Sequence, residues 1–342
     1  MQGSEPIGDA PVVGRCSARA ALAGNPSDGY GGAVVSVPVA SVAAHVEAAP
    51  SDRFEIDPSP TADDTFSDLD ELCERVDRYG YGGTRQLLVA TLRSLRRHVD
   101  AKIDPVRLTV STTIPRSVGL AGSSAIVIAA MRALTSRHAD SDWSQALRSD
   151  PALMAAVALD AETTELGITA GLQDRAVQSH DTPMLMEFDS VRPIGTGSLL
   201  SGTYSVLPRP PGIVLVAAID ATASPSGVAH RSLRDDFDAD VGGVRRLMGE
   251  IAEHARSAAA AIERGDVETL GSDMDSTLEL RQQMMVLDPR HLAMAEAARS
   301  HGAHANWSGS GGAVTVLAPN EAVAAITRSA LVDELGCTIV DV

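Results

Sequence analysis

The residues best suited to chemistry lie in a short loop. Pro115 to Ala125 reads Pro-Arg-Ser-Val-Gly-Leu-Ala-Gly-Ser-Ser-Ala, between a strand-like stretch and an apolar run. Gly119 and Gly122 let backbone approach a ligand closely. The free N–H groups and positive dipole end of a helix starting there suit a phosphate chain. A Ser hydroxyl at that point can bind Mg²⁺, as the Ser/Thr of a P-loop does, although no Gly-Lys-Ser/Thr occurs. An ordinary N-cap beside a packing glycine is the competing reading.

Three further segments carry polar groups at suggestive spacings. Between Arg19 and Gly32, Asn25, Ser27 and Asp28 can hydrogen-bond the hydroxyls of a polyol, and Arg19 can stabilise charge on a transferring phosphoryl group. The same residue types also make turns. In Ala161 to Arg175, Glu162 and Glu165 stand one helical turn apart, so either could reach a metal ion. Asp174 follows Gly171 and Leu172 where a new helix can start, as a cap or as a reactive acid. Asn306 to Ala313 is a glycine turn before a strand. No HExxH, CxxC, GxSxG or complete GxGxxG occurs.

The elements that must hold these groups follow from hydrophobic spacing. Strands are expected over Val34 to Val46, Val106 to Thr112, Ile213 to Ile219 and Ala313 to Leu317. Helices are expected over Leu69 to Val99, broken at Gly80 to Gly83, and over Ala152 to Glu165, 241 to 285 and 289 to 300. A helix begins near Leu172, and the tail reads helix then strand. Ser123 to Leu134 is apolar almost all round, which predicts a buried helix. Residues 50 to 68, with Pro50, Pro58 and Pro60, read as a surface excursion. Gly202 to Gly212, rich in proline, reads as the joint between two domains, 1–205 and 206–342.

At 342 residues the chain exceeds what one core usually serves. Its formal charge of -17, with no concentrated basic patch beyond Arg93 to Arg97, disfavours nucleic acid and anionic membrane as partners. A phosphate ligand is still compatible, because a few local groups and one metal ion can reverse the potential in a cleft. Cys16, Cys73 and Cys337 offer neither ligand spacing nor a disulfide framework. With no signal-like start and no apolar span, the expectation is a cytoplasmic protein.

In order along the chain, these segments resemble the three motifs of the GHMP kinases, the family of galactokinase, homoserine kinase and mevalonate kinase. Within it the sequence is most similar to the glucuronokinases, which phosphorylate the anomeric hydroxyl of glucuronic acid. The similar stretches are Gly24 to Asp28, Gly80 to Gly83, Gly119 to Ile126, Glu165 to Arg175, Met274 to Arg281 and Gly309 to Ala313. Thr277, Leu278 and Asn306 depart from that pattern.

The resemblance implies an α+β, two-domain fold: an N-terminal domain with a left-handed βαβ crossover and a C-terminal ferredoxin-like domain. It implies ATP contacts from Pro115, Gly119, Leu120, Ala121, Gly122, Ser123, Ser124 and Ala125, with Mg²⁺ on Ser124 and Glu162. Asp174 matches the acid that orients or deprotonates the accepting hydroxyl, and Arg19 the cation beside it. Asn25, Asp28, Tyr30, Gln173, Arg175 and Gly311 fall where a small-molecule substrate binds, a sugar or sugar acid above all. Arg116, Arg175 and Arg281 are candidate partners for a substrate carboxylate. A neutral sugar, a heptose or a mevalonate-like alcohol is an alternative acceptor, and a non-catalytic sugar or nucleotide sensor is the alternative from another class.

Overall fold

The computed structural model describes residues 10–56, 65–82, 85–195, 197–219, 233–309 and 311–342. Two sheets organise it. The first holds β1 (Val12–Ala23), β2 (Ala33–Pro50), β3 (Phe54–Ile56), β4 (Thr65–Phe66), β5 (Val106–Thr112), β6 (Met184–Pro193) and β7 (Leu200–Val206). Their order is β4-β3-β5-β2-β6-β7, with β1 on the other edge of β2. The long β2 pairs with β6 through its first half and with β5 through its second, while β1 runs antiparallel along both. β3 and β5 pair parallel, and the chain between them makes α1 (Leu69–Tyr79) and α2 (Gln86–Val99).

Four helices follow β5: α3 (Gly122–Arg137), α4 (Asp142–Ser149), α5 (Pro151–Thr163) and α6 (Leu172–His180). α3 packs against β1 and β2 and touches α2, α4, α5 and α6, so it is enclosed, as its apolar circumference predicts.

The second sheet holds β8 (Ile213–Ala218), β9 (His304–Trp307), β10 (Ala313–Ala318) and β11 (Thr338–Asp341). All its pairs are antiparallel, in the order β11-β8-β10-β9. The helices α7 (Val244–Arg264), α8 (Val267–Met284), α9 (Pro289–Ser300) and α10 (Glu321–Asp333) complete a ferredoxin-like arrangement enlarged between its first two strands.

Several elements differ from the sequence reading. β1 was not foreseen because Ala18, Ala20, Ala21 and Ala23 dilute its strand character; burial against α3 and β2 holds it extended. β6 and β7 were likewise missed. The stretch 241–285 is two helices, parted at Gly265, with Asp266 capping the second. Gly202 to Val206 belong to β7, which leaves 207–212 as the turn between sheets. Phe54 and Ile56, inside the expected surface excursion, are buried in β3, while Pro58 and Pro60 lie outside the described residues. So does Gly83.

The Arg93 to Arg97 cluster is consumed internally: Arg93 pairs with Asp77, Arg96 with Asp70 and Arg97 with Asp160. The three cysteines are free thiols. No helix among the described residues is long and apolar enough to cross a membrane.

Candidate active site

The loop before α3 has an unusual backbone path. Ser117, Gly119 and Ala121, alternate residues, all have positive φ. Such alternation curls backbone N–H groups into a concave nest. Ala121 is the N-cap of α3 at φ 59° and makes no side-chain cap bond. A left-handed alanine costs about 1–2 kcal/mol, strain of the kind that collects at functional sites. Neither serine is the cap. The Ser124 hydroxyl donates to the Ala121 carbonyl oxygen at 3.1 Å, which leaves its oxygen lone pairs open, and the half-buried Ser123 hydroxyl has no partner among the described residues.

The other segments converge on this loop. A Cβ on Gly309 would stand 2.3 Å from the Gly119 carbonyl oxygen, and one on Gly312 would stand 2.5 Å from the Val118 Cα. Only glycine lets the β9–β10 turn lie against the loop this closely. From β1, the Arg19 backbone N–H donates to the Leu120 carbonyl oxygen at 3.2 Å. The Arg19 guanidinium reaches the Ser308 carbonyl oxygen at 2.6 Å and pairs with the Asp174 carboxylate. From α6, the Gln178 amide donates to Ala121 O at 2.9 Å and Ser17 O at 3.1 Å. Gln178 lies one turn beyond Asp174, so one face of α6 carries both the acid and its tether to the loop.

Asp174 sits in the first turn of α6 and is half-buried. One carboxylate oxygen faces Arg19 and the other accepts from Arg175 at 3.2 Å, which fixes the carboxylate plane. Arg175 is buried and also grips Glu162 Oε2 through two nitrogens. Glu162 is 0% exposed, and its Oε1 has no hydrogen-bond partner.

An orphaned, buried carboxylate oxygen and a serine hydroxyl with free lone pairs fit Mg²⁺, which takes one or two protein oxygens and leaves the rest to phosphates and water. No group of three or more His, Cys, Asp or Glu among the described residues is placed to hold a metal alone. Glu165 is differently committed: it pairs with Arg93 and Arg97 and accepts from the Tyr81 hydroxyl.

Asp28 faces the same space. Its Oδ2 lies 3.1 Å from where a Cβ on Gly171 would stand, at the start of α6. Burial, then the neighbouring charge of Asp174, pushes its carboxyl up to about 7, with Arg19 opposing. Tyr30 stacks on Phe237 at 4.7 Å, and the Arg234 guanidinium lies 4.2 Å from its ring centroid while donating to the Gly29 carbonyl oxygen. Gly311 borders open space.

Three residues expected against substrate make protein contacts instead. Asn25, 3% exposed, donates to the Trp307 carbonyl oxygen at 2.8 Å and accepts from Asn306 at 2.9 Å. Gln173 is buried and donates to the Ser36 hydroxyl at 2.8 Å. Arg175 is held by Glu162, Asp174 and the Gly171 carbonyl. Desolvation decides these fates, because a buried amide or guanidinium needs all the partners it can find.

Arg281 is buried too, donating to the Trp307 and Gly309 carbonyl oxygens, and burial holds its guanidinium down to about 9. Arg116 is exposed. Thr277 and Asn306 both act on the first motif: Thr277 Oγ1 accepts from the Gly24 N–H at 3.3 Å, and Asn306 donates to the Leu22 carbonyl oxygen at 2.9 Å.

Sequence reasoning passed over Gln178, Trp307 and Arg234. The i, i+4 spacing from Asp174 was the available signal for Gln178; the other two meet the site across more than 200 residues.

Comparison with known proteins bears on the family and the fold. The model of the GHMP kinases N-terminal domain matches residues 86–181, and that of the GHMP kinases C-terminal domain matches 258–336. The chain belongs to the GHMP kinase superfamily. It is 33% identical over 328 residues to glucuronokinase 1 of Arabidopsis thaliana, covering 91% of this chain and 86% of that one. Identity to probable glucuronokinase 2 of the same plant is 33% over 325 residues, with 89% and 84% covered.

Among solved structures, galactokinase of Lactococcus lactis complexed with galactose superposes with a TM-score of 0.74 at 14% identity, over 96% of this chain and 92% of that one. That likeness concerns the fold alone. This GHMP kinase is a small-molecule kinase that phosphorylates an alcohol group.

Proposed function

We propose that this GHMP kinase transfers the γ-phosphoryl group of ATP to the anomeric hydroxyl of a sugar acid such as glucuronic acid. One observation carries the reading: the Arg19–Asp174 pair is tied through Leu120 and Gln178 to the anion-receiving loop before α3. Nucleotide and acceptor then meet between the segments 1–205 and 206–342. The similarity to two glucuronokinases over most of the chain supports the choice of acceptor.

In this reading the α3 loop amides hold the triphosphate, in place of the missing N-cap side chain. Ser124 and the free oxygen of Glu162 would hold Mg²⁺, which when bound would neutralise phosphate charge. Asp174 accepts a hydrogen bond from the nucleophilic hydroxyl and aims it along the line of displacement. Its proton can leave late, since such transfers pass through a loose transition state in which positioning and charge do most of the work. Arg19 stabilises negative charge building on the transferred group. Asp28 contacts another sugar hydroxyl.

The substrate carboxylate requires a cation. Arg175 and Arg281 are committed to protein oxygens, so the exposed Arg116 and Arg234 are the remaining candidates. Arg234, stacked on Tyr30 beside Asp28, lies on the acceptor side. The engagement of the two buried arginines also favours a second reading, a neutral-sugar acceptor. ATP consumption with Mg²⁺ against uronic acids, neutral sugars and polyols separates the two. The sugar-acid reading expects uronic acids to be turned over with the highest kcat/KM. Turnover of neutral sugars with no preference for the acid would reject it, and no sugar-dependent ATP consumption would reject both.

A further inference from the structure

At the end of α3 remote from its loop, a cavity of about 380 Å³ opens between the start of β1, α3, α4, α5 and the end of α6. Arg15, Arg132 and Arg148 line it, and no Asp or Glu does. In a chain of formal charge -17, three guanidinium groups around one cavity invert the local sign.

Arg148, in the last turn of α4, is exposed and has no partner among the described residues. Arg15 donates to the Ser17 hydroxyl at 3.1 Å and to the Ala40 carbonyl oxygen. The Ser179 hydroxyl, on the cavity wall, is buried and unpartnered. Leu147, Pro151 and Met154 give the cavity an apolar side. The acids nearest in sequence are turned elsewhere or lie outside the lining: Asp150 caps α5 by accepting from the Ala152 and Leu153 N–H groups, and Asp181 follows α6.

We propose that this cavity is a second ligand site, for a small organic phosphate, and that its occupant restrains the kinase through α6. Arg148 can meet a phosphate dianion with two parallel N–H bonds, and Arg15 and Arg132, bonded to protein oxygens, add positive potential beside it. Ser179 supplies a hydroxyl donor, and the apolar side accommodates a carbon body that inorganic phosphate lacks. The volume falls in the range of small-molecule sites.

Arg132 makes the connection to catalysis. It donates to the Arg15 carbonyl oxygen at 2.7 Å, to Gln178 O at 2.7 Å and to Ser179 O at 3.1 Å, capping the last turn of α6. The same Gln178 ties α6 to the Ala121 carbonyl in the phosphate loop. A phosphate drawing Arg132 toward the cavity uncaps those carbonyls and slackens the helix that carries Asp174. The two sites are then coupled over about 15 Å, the rise of α3 from Gly122 to Arg132. Coupling of this kind usually changes affinity by about 5- to 150-fold.

The test titrates glucose 6-phosphate, glycerol 3-phosphate and inorganic phosphate into the wild-type chain and into Arg148→Glu, by calorimetry without substrates and by initial rates at saturating ATP and acceptor. An organic phosphate is expected to bind and to inhibit without relief from more ATP or acceptor. Arg148→Glu is expected to weaken both effects at least about tenfold, one lost charge-assisted contact, with uninhibited turnover unchanged. Arg148→Ala checks that the loss follows the missing cation.

Binding unaffected by both variants would overturn the site, as would inhibition competed away by ATP or acceptor. Inorganic phosphate binding as tightly as the organic probes would overturn the ligand class. Binding by none of the three would overturn the proposal outright.

Discussion

Glu162 and Glu165 stand three residues apart at the end of α5, with the same functional group and nearly the same burial, yet their surroundings differ in kind. Glu165 Oε2 faces Arg93 and the Tyr81 hydroxyl, and its Oε1, which accepts no hydrogen bond of good geometry, is neutralised by the Arg97 guanidinium. Glu162 gives one oxygen to Arg175 and keeps the other buried and unpaired. A buried carboxylate oxygen without a partner is costly, and such a cost is retained where something else completes the site. Spare coordinating capacity, more than residue type or position, separates a ligand from a strut.

The largest effect short of the catalytic acid itself should come from testing that contrast directly. Glu162→Gln is expected to lower kcat/KM by about 10²-fold and to raise the Mg²⁺ concentration needed for half-maximal rate. It should also cost about 1–3 kcal/mol of stability, because the buried Arg175 is left with the half-buried Asp174 as its counter-charge. Glu165→Gln should lower the melting temperature while Mg²⁺ dependence and turnover stay close to wild type. The contrast breaks if the metal dependence moves in Glu165→Gln and stays put in Glu162→Gln.

A smaller effect is expected at Asp28. Its folded carboxyl is raised to about 7 from an ordinary 3.8, so the native state holds a proton that the unfolded chain has released. The associated stability is fully present below 3.8 and is lost as pH rises to about 7. Asp28→Asn should therefore be more stable than wild type by about 1–2 kcal/mol at pH 8, with the advantage vanishing near pH 4. Urea unfolding at the two pH values measures it; an advantage equal at both would show that Asp28 does not carry this proton.

The smallest effect is expected at Arg234. Because the guanidinium is exposed, Arg234→Ala should raise the KM for a sugar acid by about fivefold, the range of a surface charge pair, and leave the KM for ATP unchanged. An unchanged acceptor KM would transfer the carboxylate contact to Arg116.

The loop before α3 was legible because its signals are local. A strand pattern, then glycines, serines and an apolar helix, fall within thirty residues, and α3 appears where that pattern puts it. The position of Asp174 was legible only through family resemblance, since a lone acid after a glycine usually caps a helix.

What stayed hidden was decided at long range. Glu162 meets Arg175 across the break between α5 and α6, Asn25 meets Trp307 across the two sheets, and Arg234 folds back over Tyr30. β1 was missed for the same reason: its alanines have little strand preference, and its partners lie elsewhere in the sequence.

The central claim is that Asp174, held by Arg19 and Arg175, aims the accepting hydroxyl at the phosphate bound by the α3 loop. Steady-state turnover of Asp174→Asn, with ATP, Mg²⁺ and glucuronic acid saturating and nucleotide affinity measured in parallel, tests it most directly. A loss in kcat of about 10³-fold with ATP binding within a few-fold of wild type is the predicted result. Turnover near the wild-type rate would contradict it.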